Sequence, residues 1–185
     1  MPAIHPKPTA LLLIDVINDF DFKTRNRLLR YARPAAARIA ALKTRLRNAG
    51  SPAIYVNDNF GRWQSDFRTQ VESCCDPSSP GHDIASLLRP AADDYFVLKP
   101  KHSGFYSTSL EILLKDLGIR TLVITGFAGD ICVLYTANDA YMRDYDLIVP
   151  SDCVASETLA GNRAALHHMK TRLKARVVSS RALRA

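Results

Sequence analysis

The chain has 185 residues, the length of one domain with room for an insertion at most, and its 47% hydrophobic and 23% charged content is that of an ordinary globular protein. A domain of this size buries roughly 70% of its unfolded surface, enough to hold a core without metal or disulfide staples, so collagen-like, disordered and coiled-coil classes are excluded. No apolar run approaches the ~20 residues that cross a bilayer, and Met1 to Pro8 lacks the apolar stretch of a secretory signal. A cytoplasmic protein without a membrane partner is expected.

From Thr9 the run TALLLID, ending at Asp15, reads as a strand buried on both faces of a parallel sheet. Arg27 to Asn48 carries Leu28, Leu29, Ala32, Ala36, Ile39, Ala40, Leu42 and Leu46 at helical spacing before the stop signal Gly50. Ala53 to Asn57 is a second strand, Asp58 to Pro80 an unperiodic loop or lid, and Asp83 to Leu88 a short helix. Tyr95 to Lys99 is the third strand, Ser109 to Leu117 a helix closed by Gly118, and Arg120 to Thr125 the fourth strand. Asp130 to Arg143 is a helix, Asp146 to Pro150 the fifth strand, Glu157 to Lys174 a helix and Ala175 to Ser179 the sixth strand. Such alternation predicts a three-layer α/β/α sandwich, Rossmann-like, with a six-stranded parallel sheet in a single domain.

Cys74, Cys75, Cys132 and Cys153 are too few and too irregularly spaced for a disulfide framework, which fits a reducing compartment. The net charge of +7 is uneven: nine of the 25 basic residues fall between Lys23 and Arg47 and seven between Arg163 and Arg184, and neither stretch contains an acid. These runs are interspersed with apolar residues at helical spacing and accompany no nucleic-acid motif. They are read as solvated helix faces, and no nucleic-acid partner is expected.

In an open parallel sheet, ligands collect where the carboxyl ends of the strands meet loops and helix N-termini. Those ends supply Asp15, Asp58, Lys99 and the turn Gly126-Phe127-Ala128-Gly129-Asp130 that leads to Cys132. Taken singly, Asp15 reads as a cap, Lys99 as a solvated strand end and Cys132 as a packed thiol. Together they supply an activated nucleophile: a thiol near a helix N-terminus, an ammonium that favours its thiolate and a carboxylate that accepts its proton.

The segments ALLLIDVINDF (Ala10 to Phe20), VLKPKHSGFYSTSLEILLKDLGI (Val97 to Ile119) and TLVITGFAGDICVLYTANDAYMRDYDLIVPSDCVAS (Thr121 to Ser156) resemble the isochorismatase-like cysteine hydrolase superfamily, which includes nicotinamidases and N-carbamoylsarcosine amidohydrolase. The resemblance implies strand order 321456 and a catalytic triad of Asp15, Lys99 and Cys132 that cleaves a C–N bond through a thioester. It also implies a cis peptide at Phe127-Ala128, with the backbone N–H groups of Ala128 and Cys132 turned toward an oxyanion. A homodimer or homotetramer acting on a small molecule is expected.

The sequence departs from relatives at Ile17, where many carry Gln, and at Asp58-Asn59-Phe60, which lacks the imidazole of the Asp-x-His motif in metal-dependent nicotinamidases. None of His5, His82, His102, His167 and His168 stands in metal-ligand spacing, so neither a metal nor another cofactor is expected. Phe20, Asn59, Phe60 and Trp63, with Phe105, Tyr106 and Tyr135, are the candidate substrate-binding residues. An isochorismatase-type vinyl ether hydrolase and a non-catalytic binding protein are the alternatives; a cysteine at position 132 favours C–N cleavage.

Overall fold

Thr9–Ile14 forms β1, and all six of its residues are buried because the strand is central in the sheet and covered on both faces. The computed structural model describes residues 8–61, 63 and 66–183; His5, Arg62 and Arg184 fall outside them. In chain order follow α1 (Arg25–Asn48), β2 (Ala53–Asp58), α2 (Phe67–Cys74), α3 (His82–Leu87), β3 (Tyr95–Lys99), α4 (Leu110–Asp116) and β4 (Thr121–Phe127). They are succeeded by α5 (Leu134–Tyr141), β5 (Asp146–Pro150), β6 (Val154–Ala155), α6 (Leu159–Arg172) and β7 (Arg176–Val178).

The pairings are parallel and run β3-β2-β1-β4-β5-β7, with the two-residue β6 pairing the end of β4. The six expected strands therefore lie in the expected order, and β6 makes the sheet seven-stranded. Side chains alternate across it. Leu11 and Leu13 enter a core shared with Ile39, Val71 and Ile84 of α1, α2 and α3, whereas Leu12 and Ile14 enter one shared with Leu114, Ala137 and Met169 of α4, α5 and α6.

Several elements differ from the sequence reading. α1 begins two residues earlier and runs through Pro34. The segment expected to be a loop from Asp58 to Pro80 contains α2: the Asp66 side chain accepts the Thr69 N–H at 2.7 Å, and Phe67, Gln70, Val71 and Cys74 face inward. A polar Gln70 in the inward stripe and a length of eight residues mask the helical period. The helix expected from Asp130 begins instead as a π-helical turn, Gly129–Val133, and becomes α-helical at Leu134.

The basic stretch on α1 is partly neutralised by acids from distant segments. Arg33 pairs with Asp83 at 2.6 Å, Lys43 with Asp94, and Arg47 with Asp93. Among the described residues, no helix is long and apolar enough to cross a membrane.

The meeting of β1 and β4 leaves no room for a side chain at Gly126. Its φ is +120°, and a Cβ there would lie 2.0 Å from the Ile14 carbonyl oxygen. Gly126→Ala is expected to destabilise the fold by about 2–4 kcal/mol, read as a lower urea midpoint at unchanged m-value, because neither backbone can yield without breaking the ladder.

Candidate active site

Asp15 is the first residue after β1, at φ +50°, with its N–H donating to the Val56 carbonyl at 3.0 Å. The Asp58 N–H at the end of β2 donates to Asp15 Oδ1 at 2.7 Å. Lys99 closes β3 and is fully buried. Its strand lies two positions from β1, a separation of about 9–10 Å that a long, straight side chain can span beneath the end of β2. Lys99 Nζ reaches Asp15 Oδ2 at 2.9 Å, Asp58 Oδ2 at 3.5 Å and Cys132 Sγ at 3.6 Å. The Asp15 carboxylate also acts electrostatically on the Cys132 thiol.

The electrostatics follow from burial and from these three neighbours. Burial pushes the Asp15 carboxyl above its ordinary range, against the pull of Lys99. Burial likewise pushes the Cys132 thiol up, the Asp15 anion adds to the rise, and Lys99 opposes it. For Lys99, burial favours the neutral amine, but the Asp15 and Cys132 anions outweigh it and hold the ammonium above its ordinary range. Asp15 and Cys132 thus compete for one proton beneath a fixed cation, and their titrations belong to the pair. Moving that proton between them changes no net charge in the buried site.

Cys132 lies within the π-helical turn that follows the cis peptide Phe127-Ala128. The Ile131 and Val133 N–H groups both donate to the Ala128 carbonyl, at 3.2 and 3.1 Å. The Asp130 N–H donates to Ser156 Oγ at 3.1 Å; that hydroxyl donates to Asn162 Oδ1 at 3.1 Å, and Asn162 Nδ2 donates to the Val154 carbonyl at 3.2 Å. A Cβ at Gly129 would meet Asn162 Oδ1 at 2.4 Å, so the start of α6 packs directly on the turn. Neither Ser156 nor Asn162 stands out in the sequence, because their partners are each other and backbone groups brought close only in the fold.

The remaining candidates divide by burial. Phe20 and Phe105 are core side chains: Phe20 packs on Phe127 with ring centroids 6.3 Å apart, and Phe105 lies between Tyr145 and the Arg143 guanidinium. Asn59 is buried, and its Oδ1 accepts the Gly61 N–H at 2.9 Å, shaping the turn that carries Phe60. Phe60, Trp63, Tyr106 and Tyr135 are exposed. Ile17 is fully buried, and its carbonyl accepts Asn57 Nδ2 at 2.8 Å. His102, read from the sequence only as a histidine outside any metal pattern, places Nδ1 3.9 Å from Cys132 Sγ. No group of three or more His, Cys, Asp or Glu among the described residues is arranged to hold a metal ion.

A family profile described as the isochorismatase domain matches residues 9–182. The chain belongs to the isochorismatase family of hydrolases. It is 42% identical over 170 residues to the isochorismatase family protein YaaI of Bacillus subtilis, covering 92% of this chain and 93% of YaaI. A 69-residue stretch is 45% identical to the ureidoacrylate amidohydrolase RutB of Methylorubrum extorquens, covering 37% of this chain and 28% of that enzyme. The crystal structure of N-carbamoylsarcosine amidase from Thermoplasma acidophilum superposes with a TM-score of 0.75 at 28% identity, covering 96% of this chain and 99% of that one.

Ser156→Ala and Asn162→Ala are each expected to cost about 1–3 kcal/mol in urea denaturation, since each leaves a partner without its hydrogen bond. The double variant is expected to cost less than the sum, because the two residues belong to one chain of bonds.

Proposed function

We propose that this protein is a cysteine hydrolase that cleaves the C–N bond of a small amide or carbamoyl compound through a thioester. The observation that carries the reading is the buried Lys99 ammonium, 2.9 Å from Asp15 Oδ2 and 3.6 Å from Cys132 Sγ. Two family relatives, an amidohydrolase and an amidase by name, support it.

The Cys132 proton passes to Asp15, and the sulfur attacks the substrate carbonyl carbon. Charge develops on the carbonyl oxygen, toward the backbone N–H groups of Ala128 and Cys132. Collapse breaks the C–N bond, the leaving nitrogen takes the proton from Asp15, and the acyl group stays on sulfur. Asp15 then takes a proton from water, the resulting hydroxide adds to the thioester, and the proton returns to Cys132 as the acid departs. Lys99 keeps its charge throughout and holds Asp15 in place while the anion moves from oxygen to sulfur.

An ammonia-release screen over small amides and ureido compounds tests the activity. Cys132→Ala is expected to lower turnover of any substrate found by at least about a thousandfold, by analogy with removing the nucleophile from other covalent hydrolases. Turnover that survives the change would overturn the thioester route and favour ether hydrolysis. Iodoacetamide is expected to label the partly exposed Cys132, with Asp15 beside it to take its proton, ahead of Cys74 and Cys153, which are both buried.

The pH profile has a defined sign. The active form carries one proton shared by Asp15 and Cys132, so kcat/KM rises as the second proton leaves and falls when the last one does. Lys99 lowers the proton affinity of both groups. Lys99→Met is therefore expected to move the acid limb of kcat/KM upward by about one unit or more while lowering kcat, measured from pH 4 to 10.

A further inference from the structure

The exposed side of the sulfur carries a group outside the proposed triad. Asp15 and Lys99 approach Cys132 from beneath the strand ends, where both are buried, and Asp58 adds a second carboxylate beside the same ammonium. On the open side stands His102, itself exposed, with Nδ1 3.9 Å from Sγ. The Tyr135 ring lies against its imidazole, with centroids 5.5 Å apart at 54°.

The position of His102 is fixed by the helix that bears the nucleophile. Ser103 Oγ, on the next residue, donates to Asp139 Oδ2, and the Gly104 N–H donates to Thr136 Oγ1 at 3.0 Å. That hydroxyl in turn donates to the Cys132 carbonyl at 2.7 Å. The loop and the nucleophile are thus tied to each other through one face of α5, and His102 keeps its station beside the sulfur.

A carbonyl carbon ready for attack sits about 3–3.5 Å from Sγ. With the buried side filled by the triad, the part of the substrate beyond the reacting carbonyl extends toward the open side, against His102. One imidazole nitrogen is a donor in either neutral tautomer, and both are in the cation, so this wall offers hydrogen to an oxygen. The buried wall, by contrast, sets two carboxylates against the single Lys99 ammonium, and an anionic group would be opposed by the excess negative charge.

We propose that His102, braced by Tyr135, forms a subsite for an oxygen acceptor on the substrate, a carboxylate above all, so that the preferred substrates are small amides or carbamoyl compounds bearing an acid. The proposal rests on Cys132 being the nucleophile and names the class of compound it attacks. Its chemistry is selection by charge and hydrogen bonding at a fixed distance from the sulfur.

Iodoacetate and iodoacetamide test it without a known substrate, since they are nearly equal in size and alkylate the same thiol but differ in carrying a carboxylate or a neutral amide. The readout is the ratio of their alkylation rates at Cys132, by peptide mass spectrometry, with Cys75 in the same protein as the reference thiol. In His102→Phe that ratio is expected to fall by at least about tenfold, the scale of one hydrogen bond to a charged group. His102→Gln, which keeps a donor, is expected to lose less.

A ratio unchanged within twofold in His102→Phe overturns the subsite. So does an equal slowing of both reagents, which would mean that His102 acts on the sulfur and not on the ligand. Cys132→Ala in the ammonia-release screen separates the two claims. If it keeps its turnover, or if Cys132 accepts neither reagent, the nucleophile reading fails and the subsite falls with it. If Cys132→Ala is inactive and the ratio does not move, only the subsite fails.

Discussion

The structure depends on a lysine ammonium buried at the carboxyl edge of a parallel sheet. Removing a charge from water costs several kcal/mol unless close counter-charges offset it, and Lys99 has no contact with solvent. Asp15 and Asp58 supply that offset from the ends of β1 and β2. The sheet order β3-β2-β1-β4 makes the arrangement possible, because it sets the lysine, the two acids and the thiol-bearing turn around one point. In a sheet with β1 and β2 exchanged, Asp58 would take the place of Asp15 beside β4, and the carboxylate nearest the thiol would be a different one.

The turn that carries the thiol is held from the opposite direction. A helix start leaves N–H groups without intrahelical partners, and a π-helical turn rearranges which carbonyls they reach. Here Ala128 takes two of them through a single carbonyl oxygen, and Ser156 takes a third. Gly129 and Gly161 are the points of closest approach: a Cβ at the first would strike Asn162, and one at the second would lie 2.5 Å from Asp130 Oδ2. β6, only two residues long, pairs Gly126 and Phe127 and thereby brings this bracing segment under the turn. Lysine and carboxylates fix the chemistry of the thiol from one side; hydroxyl, amide and glycine fix its position from the other.

Much of this was legible in the amino-acid order. Continuous apolar runs such as TALLLID ending in Asp15 mark strands buried on both faces, and their alternation with helical spacing leaves few topologies. Strand ends then direct attention to Asp15, Asp58, Lys99 and Cys132. What stayed hidden depends on contacts between distant segments. His102 approaches Cys132 across 30 positions, and Ser156 approaches Asp130 across 26. α2 was hidden for a local reason, because buried Gln70 breaks the apolar stripe while spending its amide on the Asp58 carbonyl at 3.1 Å.

Charge shows most clearly why composition reads differently once the chain is folded. The stretch from Lys23 to Arg47 contains no acid, yet Asp83, Asp93 and Asp94 are delivered to it from α3 and the segment that follows it. The Lys43 pair is nearly enclosed, its ammonium also donating to Tyr55 Oη at 2.8 Å, whereas the Arg33 and Arg47 pairs are solvated and contribute little to stability. An apparently polyanion-seeking face is thereby partly spent on closing α1 over the sheet. The same logic governs Lys99, where a cation that looks solvated at a strand end is the most deeply buried charge in the site. In both places the acid that matters is separated in sequence and adjacent in space, so the sign of a local charge run says less about partners than the topology that neutralises it.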